Sequence, residues 1–241
     1  MNTVSHALSA LAETIVERAL DAARTSLSLD PPKESLSRFG VVAYGKLGSQ
    51  ELGYNSDLDI IFVYDEASQK NAASAAEWRH YFSRLVKRFV HILTTRTRAG
   101  NLYEVDLRLR PSGRSGAVVT PLHTFEHYLQ SSARTWEHQA LVRARMISGD
   151  DELARRFEDI RARILRQPRN PNTLAQAVID MRRRTIDSNS RSTAEHYDLK
   201  LDKGGLVDIE FLVQFWVLRW AADYPVLSEP RAHRSITRRL I

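Results

Sequence analysis

Residues 41–66 read VVAYGKLGSQELGYNSDLDIIFVYDE, two short apolar runs on either side of a glycine-containing turn. Val41-Val42-Ala43-Tyr44 predicts a short strand, and Leu58 to Tyr64 predicts a second, continuously apolar strand buried on both faces. The second run opens with Ser56-Asp57-Leu58-Asp59. Side chains alternate along a strand, so Asp57 and Asp59 project one way and Leu58 the other. At a rise of roughly 3.3 Å per residue their Cα atoms lie about 6.5–7 Å apart. Two carboxylates so placed can reach metal ions held about 3.5–4 Å apart, the arrangement of phosphoryl-transfer sites. An isolated Asp-x-Asp is more often a strand-end turn or a helix cap, so its neighbours must decide.

The turn Gly45-Lys46-Leu47-Gly48 leaves the first strand directly before this pair. Glycine lets the backbone approach a phosphate closely, and backbone N–H groups bind anions. The spacing is not that of a P-loop, because no Gly-Lys-Ser or Gly-Lys-Thr closes a four-residue gap. Downstream, Asn101 to Leu109 predicts a third strand carrying Tyr103-Glu104-Val105-Asp106-Leu107-Arg108. Asp106 is the expected third acid. Glu104 shares its face by parity but ranks lower, because Arg108 and Arg110 closely follow Asp106 and would neutralise phosphate charge. Magnesium, which prefers oxygen ligands, suits such a set. Glycine turn, Asp-Leu-Asp strand and Asp-x-Arg-x-Arg strand are together far more specific than any one of them.

The bulk properties are those of an ordinary globular chain. It has 241 residues, 43% hydrophobic and 27% charged, long enough for one large domain or two small ones. With no cysteine, disulfides and thiolate metal sites are excluded. No apolar run is long enough to span a bilayer, and Glu13, Glu17 and Arg18 interrupt what would be a signal peptide's apolar region. The expected compartment is therefore the cytoplasm, with no membrane partner. The formal charge of +6 admits an anionic partner. Arg155, Arg156, Arg161, Arg163 and Arg166 share a helix with acids and read as a solvated face. No aromatics for base stacking are interleaved with them, so nucleic acid is a weak reading.

Helical spacing of Val4, Leu8, Leu11 and Ile15 predicts an opening amphipathic helix over 4–24, followed by a linker containing Pro31-Pro32. A long helix is predicted from Ala72 to about Arg96, with Trp78, Phe82, Leu85 and Phe89 on one stripe. Ala117 to Thr120 adds a short strand. From Pro121 everything reads as helical, with segments near 121–132, 134–147, 150–166, 172–187 and 209–220. The last is apolar almost all round and reads as buried, and Trp136, Trp216 and Trp220 read as core. The expected fold class is α+β: an N-terminal helix and linker at 1–37, a small mixed-sheet domain at 38–120 and a helical bundle at 121–241. The sequence stops at Arg238-Arg239-Leu240-Ile241 without a cap or turn, which reads as a truncated bundle.

The acids and the turn resemble the nucleotidyltransferase fold typified by DNA polymerase beta. More narrowly, YGKLGSQELGYNSDLDIIFVYD (44–65), LYEVDLRLRPSGRSG (102–116), TWEHQALVRARMISGD (135–150) and GGLVDIEFLVQF (204–215) resemble the glutamine synthetase adenylyltransferases, also called adenylyl-removing enzymes. Members of that family have two related halves, each a nucleotidyltransferase domain with a helical bundle. This chain has one copy of the site, and GYNSDLDIIFVYD with VDIEFLVQ is more similar to the C-terminal, adenylylating half. It departs from the family at Ser49, where a second glycine commonly follows Gly48.

The resemblance implies transfer of AMP from MgATP to a tyrosine of glutamine synthetase, with pyrophosphate released. Asp57, Asp59 and Asp106 would hold two magnesium ions, with manganese as the alternative, and Asp106 would help draw the tyrosine proton. Gly45, Lys46, Gly48, Ser56, Arg108 and Arg110 would contact the nucleotide. The implied partners are glutamine synthetase, a PII-type nitrogen signal protein, glutamine as effector and the other half of the enzyme. Two alternatives stay open: phosphorolytic removal of the adenylyl group, and a docking module without turnover. Three converging carboxylates argue against the second of these.

Other signals are weaker. His123-Thr124-Phe125-Glu126-His127 fits a short zinc-peptidase pattern, but it also reads as a surface helix with Phe125 and Leu129 turned inward. Asp208 reads as a first-turn acid complementing a helix dipole. Glu210 stands just inside a helix read as buried, where a charge needs a partner or a function. Both acids could instead face a nucleotide from the bundle.

Overall fold

The structure, a computed structural model, describes residues 2–27, 38–66, 72–189, 197–229 and 232–240. Most of the expected linker, Pro31-Pro32 included, lies outside them. Two compact units emerge: Met1–Ser132 with Ala144–Ile160, and Ala133–Arg143 with Arg161–Ile241.

The first unit holds a mixed five-stranded sheet ordered β3-β2-β1-β5, with β4 also paired to β2. Strand β1 (Phe39–Ala43) runs antiparallel to β2 (Leu58–Tyr64), and helix α3 (Ala72–Thr94) follows. Strands β3 (Val105–Asp106) and β4 (Thr120–Pro121) are parallel to β2. Six of the seven β2 residues are buried, as the continuous apolar run dictates. Two expected elements change character. The turn after β1 is a single helical turn, α2 (Gly45–Gly48), and the third strand shortens from nine residues to the two that pair with β2.

The aromatic stripe on α3 builds the core of this unit. Phe82 is fully buried, with ring centroids of Phe39, Tyr64, Tyr81 and Trp78 at 5.0, 5.1, 5.6 and 5.9 Å. Helix α1 (Asn2–Ser26) packs on α3, and of the expected stripe Leu8 and Ile15 are partly buried against the core. Val4 and Leu11 are 46% and 53% exposed, while Ala12, Val16, Ala19, Leu20 and Ala23 are buried. Alanines let the helix axes approach closely, which the larger Leu11 would prevent. Ser9 locks the arrangement: its hydroxyl donates to the Ser5 carbonyl at 2.8 Å and accepts the Leu52 N–H at 3.2 Å.

The expected helix over 134–147 divides. Only α5 (Thr135–Leu141) is helical; Arg145–Ser148 forms β5, antiparallel to β1. An unpaired edge of β1 offers hydrogen bonds that outweigh a weak local helical pattern. Arg145 fastens this edge to the glycine turn, donating to the carbonyls of Gly48 at 3.2 Å and Leu47 at 3.3 Å, and pairing with Glu13 at 2.5 Å. Helix α4 (Leu122–Ser131) buries Leu122, Phe125 and Leu129. Helix α6 (Asp151–Leu165) follows β5.

The second unit contains α7 (Pro171–Asn189), α8 (Leu206–Trp220) and α9 (Ala232–Leu240) along with α5. Helix α8 is not buried all round: Val213, Val217 and Leu218 are inside, but Leu206, Leu212 and Trp220 are more than 40% exposed. Trp136 and Trp216 are half-buried, and Arg219 lies 4.1 Å over the ring of Trp220. The arginines of α6 also differ from a solvated face. Arg161 is fully buried and donates to the Ser228 carbonyl at 2.8 Å, and Arg156 pairs with Asp65 at 2.5 Å within the first unit.

Asp208 and Glu210 both have arginine partners in this unit. Asp208 accepts Arg182 Nε and the Gly204 N–H, each at 2.5 Å, and Glu210 meets the buried Arg143 at 2.9 Å. Burial, the largest influence, pushes the Asp208 carboxyl upward, but the Gly204 N–H and Arg182 outweigh it and leave it below its ordinary value. Folding therefore favours the ionised form.

Two outcomes follow from this packing. Phe82→Ala should cost about 3–5 kcal/mol in urea denaturation, and a loss under about 1 kcal/mol would mean the ring cluster is dispensable. Asp208→Asn should be less stable than the parent at neutral pH. Because the folded value is depressed, that difference is complete above the unfolded value near pH 4 and is lost as pH falls through the folded value. A gap that persisted in stronger acid would assign the effect to shape rather than charge.

Candidate active site

Local geometry brings the three expected acids together. β2 pairs in parallel with β3 so that Leu58 stands beside Val105 and Asp59 beside Asp106, and the Leu58 N–H donates to the Glu104 carbonyl at 2.9 Å. Neighbouring ladder residues present side chains on one face. Asp57 lies one residue before β2 and shares that face by alternation. One carboxylate oxygen from each of Asp57, Asp59 and Asp106 falls within 4.8 Å of the other two. Among the described residues this is the group of three acidic or histidine side chains whose ligand atoms converge.

The glycine turn is shaped for this centre. Gly45 takes φ +52, and a Cβ there would come within 2.5 Å of Asp59 Oδ2. Only glycine combines that backbone with so close an approach. The chain thus yields space first to a carboxylate, where the sequence suggested a phosphate. Leu47 is buried beneath the turn and Lys46 is exposed on it. Ser49, at the departure from the family pattern, donates to the Gly45 carbonyl at 3.0 Å and to Glu51 at 2.7 Å, closing the turn. The Ser56 hydroxyl accepts the Gly53 N–H at 3.2 Å, and Asn55 adopts φ +56, so this second turn delivers Asp57 to the head of β2.

The arginines divide into two kinds. Arg108 holds Asp106: its backbone N–H donates to Oδ1 at 2.8 Å, its Nε to Oδ2 at 2.7 Å, and its Nη2 also lies against Oδ2. Burial, the largest influence on Asp106, pushes its carboxyl up. The Arg108 hydrogen bonds and charge, with the charge of Arg114, more than reverse this and hold it below the usual carboxylate value. The Arg108 guanidinium is itself pushed upward, first by that hydrogen bond and then by the charges of Asp106, Asp59 and Asp57. Arg110, expected on the nucleotide, lines the cleft and donates to the carbonyls of Leu107 at 2.8 Å, Arg114 at 3.1 Å and Gly116 at 3.2 Å. It fixes the 107–116 loop. Gly116 is required there because a Cβ would collide with the Pro111 carbonyl oxygen.

A cleft of about 530 Å³ opens over these groups, lined by Asp57, Glu104, Asp106, Arg108, Arg110 and Arg114 among others. That volume suits a nucleotide-sized ligand. Arg114, missed in the sequence, adds a cation to the rim; only its place in a turn carried by the Arg110 clamp signals it. Glu104 is exposed and accepts Asn101 Nδ2 at 2.9 Å. A cavity of similar size between α7 and α8 is walled mainly by Val178, Ile179, Phe211 and Leu212, with Asp208 as its one acid beside Arg182, Arg183 and Lys203. In the His-x-x-Glu-His segment, His123 Nδ1 stands 3.4 Å from Glu66.

Comparison with known proteins identifies the family. The bifunctional glutamine synthetase adenylyltransferase/adenylyl-removing enzyme of Thioalkalivibrio sulfidiphilus is 42% identical over 99% of this chain and 26% of its own length. Those of Hahella chejuensis and Idiomarina loihiensis are 42% and 44% identical over 92% and 95% of the chain, covering 24% and 25% of the relatives. The chain thus spans about a quarter of the length of these relatives. The family model for glutamate-ammonia ligase adenylyltransferase matches residues 1–160, the stretch that carries the three carboxylates and both glycine turns, and the chain belongs to that family.

Proposed function

We propose that this chain is a nucleotidyltransferase unit that moves AMP from ATP to a tyrosine hydroxyl of glutamine synthetase. One observation carries the reading: Asp57, Asp59 and Asp106 bring oxygens within 4.8 Å of one another, with Asp57 and Asp106 on the wall of an arginine-rimmed cleft, in a chain of the adenylyltransferase family. An all-oxygen donor set of this kind fits hard divalent cations such as magnesium or manganese. Bound there, such ions would offset the charge on the attacking and leaving oxygens of an in-line displacement.

The chain's own groups supply the rest. In the transfer, the tyrosine oxygen bonds to the α-phosphorus as the bond to the bridging oxygen of the β-phosphate breaks, and pyrophosphate leaves. Arg114 and Arg108 stand where its negative charge accumulates. The free phenol, with a pKa near 10, must lose its proton in the process. Asp106, on the wall of the cleft, is the candidate to help draw that proton toward solvent as the new phosphorus–oxygen bond forms. Arg110 acts through the loop it clamps, and Ser56 through the turn that aims Asp57.

The wording of GYNSDLDIIFVYD and VDIEFLVQ favours the adenylylating direction over phosphorolytic removal. Regulation by glutamine and a PII-type signal protein, and cooperation with a second half, follow from the family resemblance alone, and no residue of this chain is assigned to them. Among the described residues no helix is long and apolar enough to cross a membrane. A cytoplasmic setting is part of the same reading.

With α-labelled ATP, magnesium and unmodified glutamine synthetase, label should reach a synthetase tyrosine, and Asp57→Ala with Asp59→Ala should lower that rate by more than about a hundredfold. ADP released instead from adenylylated synthetase and phosphate would assign the removing direction. Silence in both assays while ATP still binds would replace the enzyme with a docking module.

A further inference from the structure

We infer that Arg108 is a latch on Asp106 that makes divalent-metal binding at this cleft conditional on nucleotide. The inference rests on the nucleotidyltransferase reading and adds an order of events to it. Both Asp106 oxygens are engaged by one residue: Oδ1 by the Arg108 N–H, and Oδ2 by Nε at 2.7 Å and by Nη2. The two partners differ in freedom. The Asp106 side chain is 14% exposed and fixed on β3, whereas the Arg108 side chain is 67% exposed, on an arm able to rotate into water. Its guanidinium also feels the charges of Asp57 and Asp59, which places it within the field of all three acids.

A divalent ion binding an Asp106 oxygen at about 2.1 Å stands beside the guanidinium and repels it. Metal arriving alone works against the guanidinium's hold on Oδ2 and offers it no other partner. Metal arriving with a triphosphate offers a replacement, because phosphate oxygens match the guanidinium fork as a carboxylate does. The exchange keeps Arg108 paired throughout and moves it toward the group that leaves. Lysine has no such fork, so arginine is the residue this role requires.

Free-Mn²⁺ spectroscopy on the 241-residue chain at 0.15 M salt tests this, with and without α,β-methylene-ATP, which cannot be cleaved at the reacting bond. Arg108→Gln should bind Mn²⁺ alone about tenfold more tightly than the parent, and bind Mn²⁺ with the analogue no better, so that the coupling between the two ligands shrinks. Arg114→Gln removes an equal charge from the same rim without touching Asp106 and should gain about threefold or less under this screening. Arg108→Lys, which keeps the charge and loses the fork, should fall between parent and Arg108→Gln. Equal gains for Arg108→Gln and Arg114→Gln would reduce the effect to the general field and overturn the latch. So would an unchanged or weaker Mn²⁺ affinity in an Arg108→Gln protein that melts like the parent. In both of those cases the parent still binds Mn²⁺ with the analogue and the nucleotidyltransferase reading stands. A parent that binds neither would remove that reading and the latch together.

Discussion

Two positions of one ladder, Leu58 beside Val105 and Asp59 beside Asp106, set the geometry on which the site depends. A slip of one residue would turn Asp106 to the opposite face and separate the acids. Only two β3 residues pair, so the register cannot rest on the length of the ladder. It rests on what surrounds it: Leu58 is fully buried in the core, the Leu58 N–H reaches back to Glu104, and the Arg110 clamp holds the chain beyond β3 to a single path. On the other side of β2, Gly45 leaves just enough room for Asp59. Arg145 ties the turn that contains Gly45 to α1 and β5, so elements far apart in sequence bear on the position of one carboxylate.

Three carboxylates this close repel one another, and the fold must tolerate that in the absence of any ion. Asp57 manages by exposure, since water screens it. Asp106 is less exposed and is held by Arg108, which keeps it charged below its ordinary value. The arginine therefore does in the free protein what a cation does in a loaded site. For Asp106 this is the opposite of what close carboxylate pairs without a neighbouring cation do, which is to share a proton.

The catalytic strands were legible because their signals are local. Alternation places Asp57 and Asp59 on one face, and a seven-residue, mostly apolar run rich in β-branched and aromatic residues fits a buried strand. The α3 stripe was equally plain in the spacing of Trp78, Phe82, Leu85 and Phe89. What escaped were features decided by partners distant in sequence. Arg145–Ser148 looks helical until β1 is seen to need a partner, and Arg161 looks solvated until the Ser228 carbonyl is found over it. On α1 the expected stripe was half right: Leu8 and Ile15 pack partly against the core, but Ala12, Ala19 and Ala23 are buried where Val4 and Leu11 are exposed. Arg110 shows the same limit within the site: spacing locates it near Asp106, but only the loop's carbonyls reveal which way its guanidinium is committed.

The direction of the chemistry is a separate matter from the position of the acids. Adenylylation and phosphorolysis both displace at the α-phosphorus of an adenylyl group, and the same three carboxylates serve either. The difference lies in the group opposite the tyrosine oxygen: a pyrophosphate that leaves, or a phosphate that enters. A leaving pyrophosphate carries more negative charge and spreads it over more oxygens, so it needs more than one cation along the cleft wall. Arg108 on Asp106 and Arg114 on the rim provide two such cations, on a loop that Arg110 keeps in shape.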